Sequence, residues 1–358
     1  MTTFKKSLLS LAIAVVPLTA NAEGFGTVSA NAALTTDYYF RGISQTENDG
    51  AFQGGFDWSH DSGVYAGVWA SNVAFGDTHI EVDTYIGFAN DIGDTGIGYD
   101  INLLRYNYND ADYETNELTF ALSYSYFSAS YSYSNDWYNT DESSNYIKLG
   151  FDYELPGNYN LGMSVGKSFG DAYDKNKVGS ARDFDYIDYK VGVNKDFYGL
   201  NWDLSYVGND LNSNECDAYV AGNSICDDRF VLTISKSIGD VTQSSEGSEL
   251  PISANIALVT DYYFRGISQT GNDGAIQGGF DWSHSSGFYV GVWGSNVDFG
   301  DTNLEFDTYA GYASEYNDFG YDLGVIKYNY NDTSMHDDPI EWYANISYSY
   351  FSAGYAYS

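Results

Sequence analysis

Two cysteines, four histidines and a large excess of carboxylates are the residues of this 358-residue chain that could do chemistry. Cys216 and Cys226 are the only cysteines and no histidine lies near them, so a disulfide is expected rather than a metal pair. His60, His79, His284 and His336 do not cluster in the sequence. His60 and His284 each follow Asp-Trp-Ser beside an expected turn, where a ring nitrogen would be solvated. Asp110, Asp112 and Glu114 alternate as calcium ligands can, but the glycine and distal glutamate of an EF-hand loop are missing. The chain has no nucleophile elbow, phosphate loop or zinc spacing. The expectation is therefore no enzyme, no cofactor and no metal site.

The remaining charges fall on alternate positions of short segments. Ile147, Leu149, Phe151, Tyr153 and Leu155 share one parity, and Lys148, Gly150, Asp152 and Glu154 the other. Ile187, Tyr189, Val191 and Val193 alternate in the same way with Asp188, Lys190, Gly192 and Asn194, and Leu200, Trp202 and Leu204 with Asn201, Asp203 and Ser205. A period of two is the signature of a strand with one apolar and one polar face. Asp57, Glu81, Asp83, Asp152, Asp188 and Asp203, with Lys148 and Lys190, thus belong to a common polar face. Arg41, and its counterpart Arg265, sit among aromatics in what reads as a strand. Arg41 is expected to line a constriction or to pair with Asp57 or Asp83.

The composition decides what that polar face encloses. Aromatics make up 18% of the chain and include 36 Tyr; Gly numbers 38, Pro only 4, and the net charge is −35. Disordered acidic chains lack such aromatics, and a surface this acidic argues against a nucleic-acid partner. A soluble sandwich would favour branched aliphatics over Tyr, Trp and Gly in its core. A transmembrane β-barrel uses all of these features: apolar residues toward lipid, polar ones toward the lumen, and aromatic girdles at both interfaces. Alternation and turn chemistry place twelve strands at roughly 28–42, 50–60, 63–74, 79–90, 97–110, 116–126, 128–135, 145–155, 158–168, 183–195, 198–208 and 228–238. In the later half the connections alternate long and short, as outer loops and periplasmic turns do.

The segment Asp37–Thr46 recurs as Asp261–Thr270, and an ungapped alignment of 29–87 with 253–311 gives 46 identities in 59 positions. The expected organisation is a signal peptide at 1–22, a complete barrel copy at 23–239, a linker at 240–251, and a shorter second copy of about seven strands at 252–358. Lys5 and Lys6, the apolar run Leu8–Leu18 and the small-residue box Ala20-Asn21-Ala22 carry the signal-peptide reading.

Asp37-Tyr-Tyr-Phe-Arg-Gly-Ile-Ser-Gln-Thr46, followed by Gly54-Gly-Phe-Asp-Trp-Ser59 and Gly67-Val-Trp-Ala-Ser-Asn-Val73, resembles the TorF family of porins, bacterial outer-membrane proteins of poorly defined function. The resemblance covers about 25–239 and begins again near 252. It implies an outer-membrane barrel and a pore, with no catalytic residues to carry over.

These readings converge on an all-β, antiparallel barrel of the bacterial outer membrane. Its expected role is passive diffusion of small hydrophilic solutes with a preference for cations, since rings of carboxylates favour cations. Its partners would be outer-membrane lipid and the solutes themselves. The rival readings are a surface-binding barrel with a plugged lumen, and a barrel enzyme.

Overall fold

In a computed structural model, the chain is described over residues 26–109, 113–174, 185–220, 224–238, 252–300, 302–331 and 339–358. The expected signal peptide and linker lie outside these residues. Twelve antiparallel strands close into a barrel: β1 (Thr27–Thr35), β4 (Ala51–Ser59), β5 (Val64–Phe75), β6 (Thr78–Asp91), β7 (Ile97–Tyr108), β8 (Thr115–Tyr124), β9 (Phe127–Ser134), β10 (Ser144–Leu155), β11 (Tyr159–Phe169), β12 (Tyr186–Phe197), β13 (Leu200–Asn209) and β14 (Arg229–Ile238). β1 pairs with β14, Ala30 opposite Ile238 and Thr35 opposite Thr233, so the ladder has no free edge. Between β1 and β4 the chain forms a small separate hairpin, β2 (Tyr39–Phe40) with β3 (Ile43–Ser44). The first strand thus ends at Thr35, seven residues before the sequence-based boundary.

The register sorts the side chains as the alternation requires. Leu118 lies opposite Tyr133, Phe120 opposite Tyr131, and Leu149 opposite Val165. Leu118, Leu149 and Val165 are 51%, 55% and 45% exposed on the outside of the barrel. Such a continuous apolar belt is untenable in water and suits hydrocarbon. Tyr124, Tyr126, Phe127, Tyr153, Tyr159, Phe197 and Tyr198 band one end of the belt, and Tyr131, Tyr133, Tyr206 and Phe230 the other. The first end carries the tight turns. Tyr198 and Gly199, with φ of 51° and 75°, close the two-residue turn between β12 and β13.

A second sheet follows: β15 (Ile252–Val259), β18 (Ala275–Ser283), β19 (Phe288–Phe299), β20 (Thr302–Tyr316), β21 (Phe319–Tyr330), β22 (Ile340–Tyr348) and β23 (Phe351–Tyr357), paired in that order. Its own small hairpin joins β16 (Tyr263–Phe264) to β17 (Ile267–Ser268). Among the described residues this sheet is open. Leu149, at mid-height of β10, tests the lipid belt. Leu149→Arg should destabilise the barrel by about 2–4 kcal/mol in urea titrations in phospholipid vesicles, while Lys148→Ala, one position away on the inner face, should change it by under about 1 kcal/mol.

Candidate functional site: the barrel interior

The segment between β1 and β4 turns into the barrel instead of extending the wall. Arg41 (φ 48°) and Gly42 (φ 79°) are the central residues of the β2–β3 turn, and two positive φ values in succession give the tight turn whose twist matches a hairpin. The turn rests on the far wall. A Cβ on Gly42 would meet the Gly208 carbonyl at 2.6 Å, so only glycine fits there. Asn209 donates from Nδ2 to the Gly42 carbonyl at 2.6 Å, and the Ser44 amide donates to the Ile225 carbonyl at 2.9 Å. At the base of the hairpin Asp37 accepts from the hydroxyls of Ser44 (2.6 Å) and Thr46 (3.1 Å) and pairs with Arg229 at 3.2 Å. Burial pushes the Asp37 carboxyl up to about 6, against those hydroxyls and the guanidinium, which lower it.

Arg41 crosses the interior to an ion pair with Glu117 on β8, the two side chains 6% and 5% exposed. Its guanidinium lies 4.8 Å from the Phe40 ring centre, 5.0 Å from Trp137 and 4.1 Å from Tyr146. Tyr106 donates to the other Glu117 oxygen at 3.3 Å, and Tyr146 to Asp188 at 3.0 Å. One arginine thereby ties together β7, β8, β10 and β12. Tyr38, Tyr106, Tyr108, Trp137, Tyr138, Tyr173 and Tyr186 fill the space around it. Glu81 and Asp83, 1% and 6% exposed, lie in the same region, with Tyr108 donating to Glu81 at 3.2 Å. Neither carboxylate is in an ion pair among the described residues.

The half of the barrel toward the tight turns is different. There Lys148, Asp152 and Glu154 point inward and are exposed. Lys190 reaches Asp203 at 3.5 Å, and Asp57 accepts from Asn31 at 3.3 Å and from Tyr85. Tyr65 donates to Asp100 at 2.6 Å. The interior is thus packed with aromatics toward the long loops and lined with solvated charges toward the tight turns.

The structure places Asp57, Glu81, Asp83, Lys148, Asp152, Asp188, Lys190 and Asp203 on inward positions of the barrel. Arg41 does not belong to a strand of the barrel and pairs with neither Asp57 nor Asp83; its partner Glu117 was missed by sequence reasoning. A signal existed. Arg265 pairs with Glu341 at 2.6 Å, and both arginines stand 76 residues before their glutamates. Arg265 stands at the turn of the separate β16–β17 hairpin with its side chain 60% exposed, and no closed lumen surrounds it among the described residues. Cys216 and Cys226 are bridged. The bridge is not on the surface as a loop position suggests: the two residues are 3% and 6% exposed, because the loop folds inward onto Ile43 and Ala172. Asp110, Asp112 and His336 lie outside the described residues. His60 and His284 bond to Ser62 and Ser286 in their turns.

The description "bacterial protein of unknown function" is that of a family, Gcw_chp, which matches residues 19–238 and again 243–358. The chain belongs to the Gcw_chp family. No curated protein matches it. Among solved structures it is similar to a membrane protein studied for its in-meso crystallisation (10% identity, TM-score 0.36, covering 59% of this chain and 83% of the other). It is also similar to Pseudomonas putida OprB (7%, 0.29, 85% and 88%) and to Pseudomonas aeruginosa OccD3, or OpdP (11%, 0.27, 94% and 94%). Likeness at this level carries no function from one chain to another.

Two outcomes follow from this geometry. Arg41→Ala leaves Glu117 buried without its cation and should cost about 3–5 kcal/mol, whereas Arg265→Ala removes a cation that is 60% exposed and should cost less, about 1 kcal/mol, both read from urea unfolding of the full chain. The second concerns pH. A carboxyl whose pKa is raised on folding stabilises the folded state below its unfolded value near 3.9 and loses that contribution as pH rises through about 6. Docking of residues 36–50 should therefore weaken between about pH 4 and 6. Hydrogen exchange of these amides, corrected for intrinsic rates, should show that loss in the native chain and not in Asp37→Asn.

Proposed function

We propose that this protein is an outer-membrane channel for small hydrophilic solutes, cation-preferring, whose conductance is set by the infolded hairpin. The observation that carries the reading is the division of the interior: solvated Lys148, Asp152, Glu154, Lys190 and Asp203 in one half, and Arg41 bridged to Glu117 across the other. A closed barrel with a wet, charged interior discriminates solutes by size and charge. The resemblance of Asp37–Thr46 to the TorF porins supports the same reading. The preference for cations rests on Asp57, Glu81, Asp83, Asp100, Glu117, Asp152, Glu154, Asp188 and Asp203 facing inward, against Arg41, Lys148, Lys190 and Arg229. The tight-turn end, with both barrel termini, would face the periplasm, and the longer connections the exterior.

A second reading has its own support. Aromatic packing around Arg41 would close the outer half, leaving a barrel whose loops bind at the cell surface. Planar-bilayer recordings of the full chain decide between them. Under a salt gradient the reversal potential should report cation preference, weakening from 0.1 M to 1 M salt as the Debye length falls from about 10 Å to about 3 Å. Neutralising Asp152 and Asp203 should reduce selectivity more than neutralising Asp141 and Glu142 in an outer loop, and Arg41→Ala should raise conductance. Anion preference would overturn the cation reading; silence in both native chain and Arg41→Ala would favour the plugged barrel.

A further inference from the structure

One stretch of the barrel's outer wall has no access to lipid. Ala32, Phe52 and Ala70 point outward, as Leu149 and Val165 do on the other side, yet each is 0% exposed. The second sheet covers them. Ile276 and Leu304, which correspond to Phe52 and Ile80 at a shift of 224 residues, are 0% and 7% exposed in the same apolar cluster. Glycines let the two walls approach: a Cβ on Gly54 would collide with Ile256, and one on its counterpart Gly278 would lie 2.8 Å from the Phe52 ring.

The pattern of contacts is reciprocal. β1 meets β15 and β4 meets β18, each strand facing its own counterpart; β6 meets β19 while β5 meets β20, and β4 meets β19 while β5 meets β18. If strand i touches strand j and the counterpart of j touches the counterpart of i, the interface is isologous, generated by a two-fold axis. At the rim the contacts are polar: Asn331 donates to Asp49 at 3.3 Å, and His79 lies 3.9 Å from Asp298. An apolar centre ringed by polar contacts is the usual anatomy of a specific interface.

We infer that the outward face of β1, β4, β5 and β6 is a self-complementary pairing surface whose partner is a second copy of the same wall, and that the chain's own β15, β18, β19 and β20 occupy it about a local two-fold axis. The inference rests on reading the chain as two copies of one sequence, and it holds whether or not the barrel conducts. Aligned copies need not pack symmetrically; tandem copies joined by a short connection more simply pack head to tail, with different surfaces in contact.

The test uses the full chain in outer-membrane phospholipid vesicles. In Gly54→Cys/Ile256→Cys, mild oxidation should link 54 to 256 within one chain at least tenfold more than the control pair Val165→Cys/Ile256→Cys links 165 to 256, by peptide mass spectrometry. Equal yields, or links found only between separate chains, would overturn the inference. Should the cysteine variants fail to insert, the native chain suffices: a lipid-soluble carbene reagent should label peptides bearing Phe52 and Ile276 at least fivefold less than those bearing Leu149 and Val165. Equal labelling would place that wall in lipid and overturn the pairing.

Discussion

Closure of the hydrogen-bonded ladder between β1 and β14 is the constraint on which the rest of the molecule depends. In hydrocarbon every backbone amide and carbonyl needs a partner, and an antiparallel sheet meets that demand only by ending where it began. A wall one strand thick then assigns each residue to lipid or to the interior, with nothing between. The Ser128, Ser130, Ser132 and Ser134 row of β9 inside, and Phe127, Tyr131 and Tyr133 outside, are consequences of that single choice. Interior charge follows from the same rule. It is admissible in the wall because the strand's other face satisfies the membrane.

Closure also creates a problem that the hairpin solves. A twelve-stranded interior is too wide for the side chains of its own wall to meet across it, so the outer half must hold water or an inserted segment. Residues 36–50 supply the segment, and the loops bearing Trp137, Tyr173 and the Cys216–Cys226 bridge fold in to meet it. The Arg41 guanidinium is the centre of this packing, because burying a charge demands an opposite charge beside it. Glu117 supplies the charge, and three aromatic faces within 5.0 Å the remaining contacts.

How much of this was legible depended on periodicity. The strands were legible because one-residue slips would reverse their faces, and the alternation at Ile147–Leu155 or Ile187–Val193 therefore tolerates one register only. The inward charges Asp152, Asp188 and Asp203 came with it. Arg41 was not legible as a hairpin tip, since Tyr39, Phe40 and Ile43 read as more of the first strand, and nothing in a period of two announces two successive positive φ values. Glu117 was missed because its partner is set by the path of a loop through space. The cysteine pairing was visible in the count, while the burial of the bridge was not, for the same reason.

The two hairpins, β2–β3 and β16–β17, separate what this segment owes to its sequence from what it owes to the barrel. Arg265 and Gly266 adopt φ values of 49° and 84°, nearly those of Arg41 and Gly42, and Tyr263 pairs with Ser268 as Tyr39 does with Ser44. Yet a Cβ on Gly266 would meet nothing within 4 Å, whereas one on Gly42 would strike the opposite wall. The turn therefore forms without anything to press against. Ser268 and Thr270 hold Asp261 in the β16–β17 hairpin as Ser44 and Thr46 hold Asp37 in the β2–β3 hairpin, so the base of the hairpin is local as well. What the closed barrel adds is burial: an arginine and a glutamate 76 residues apart pair in both places, but the arginine passes from 60% exposed to 6% exposed at the centre of a packed interior. The hairpin is thus folded by its own residues and given its consequence by the strands that enclose it.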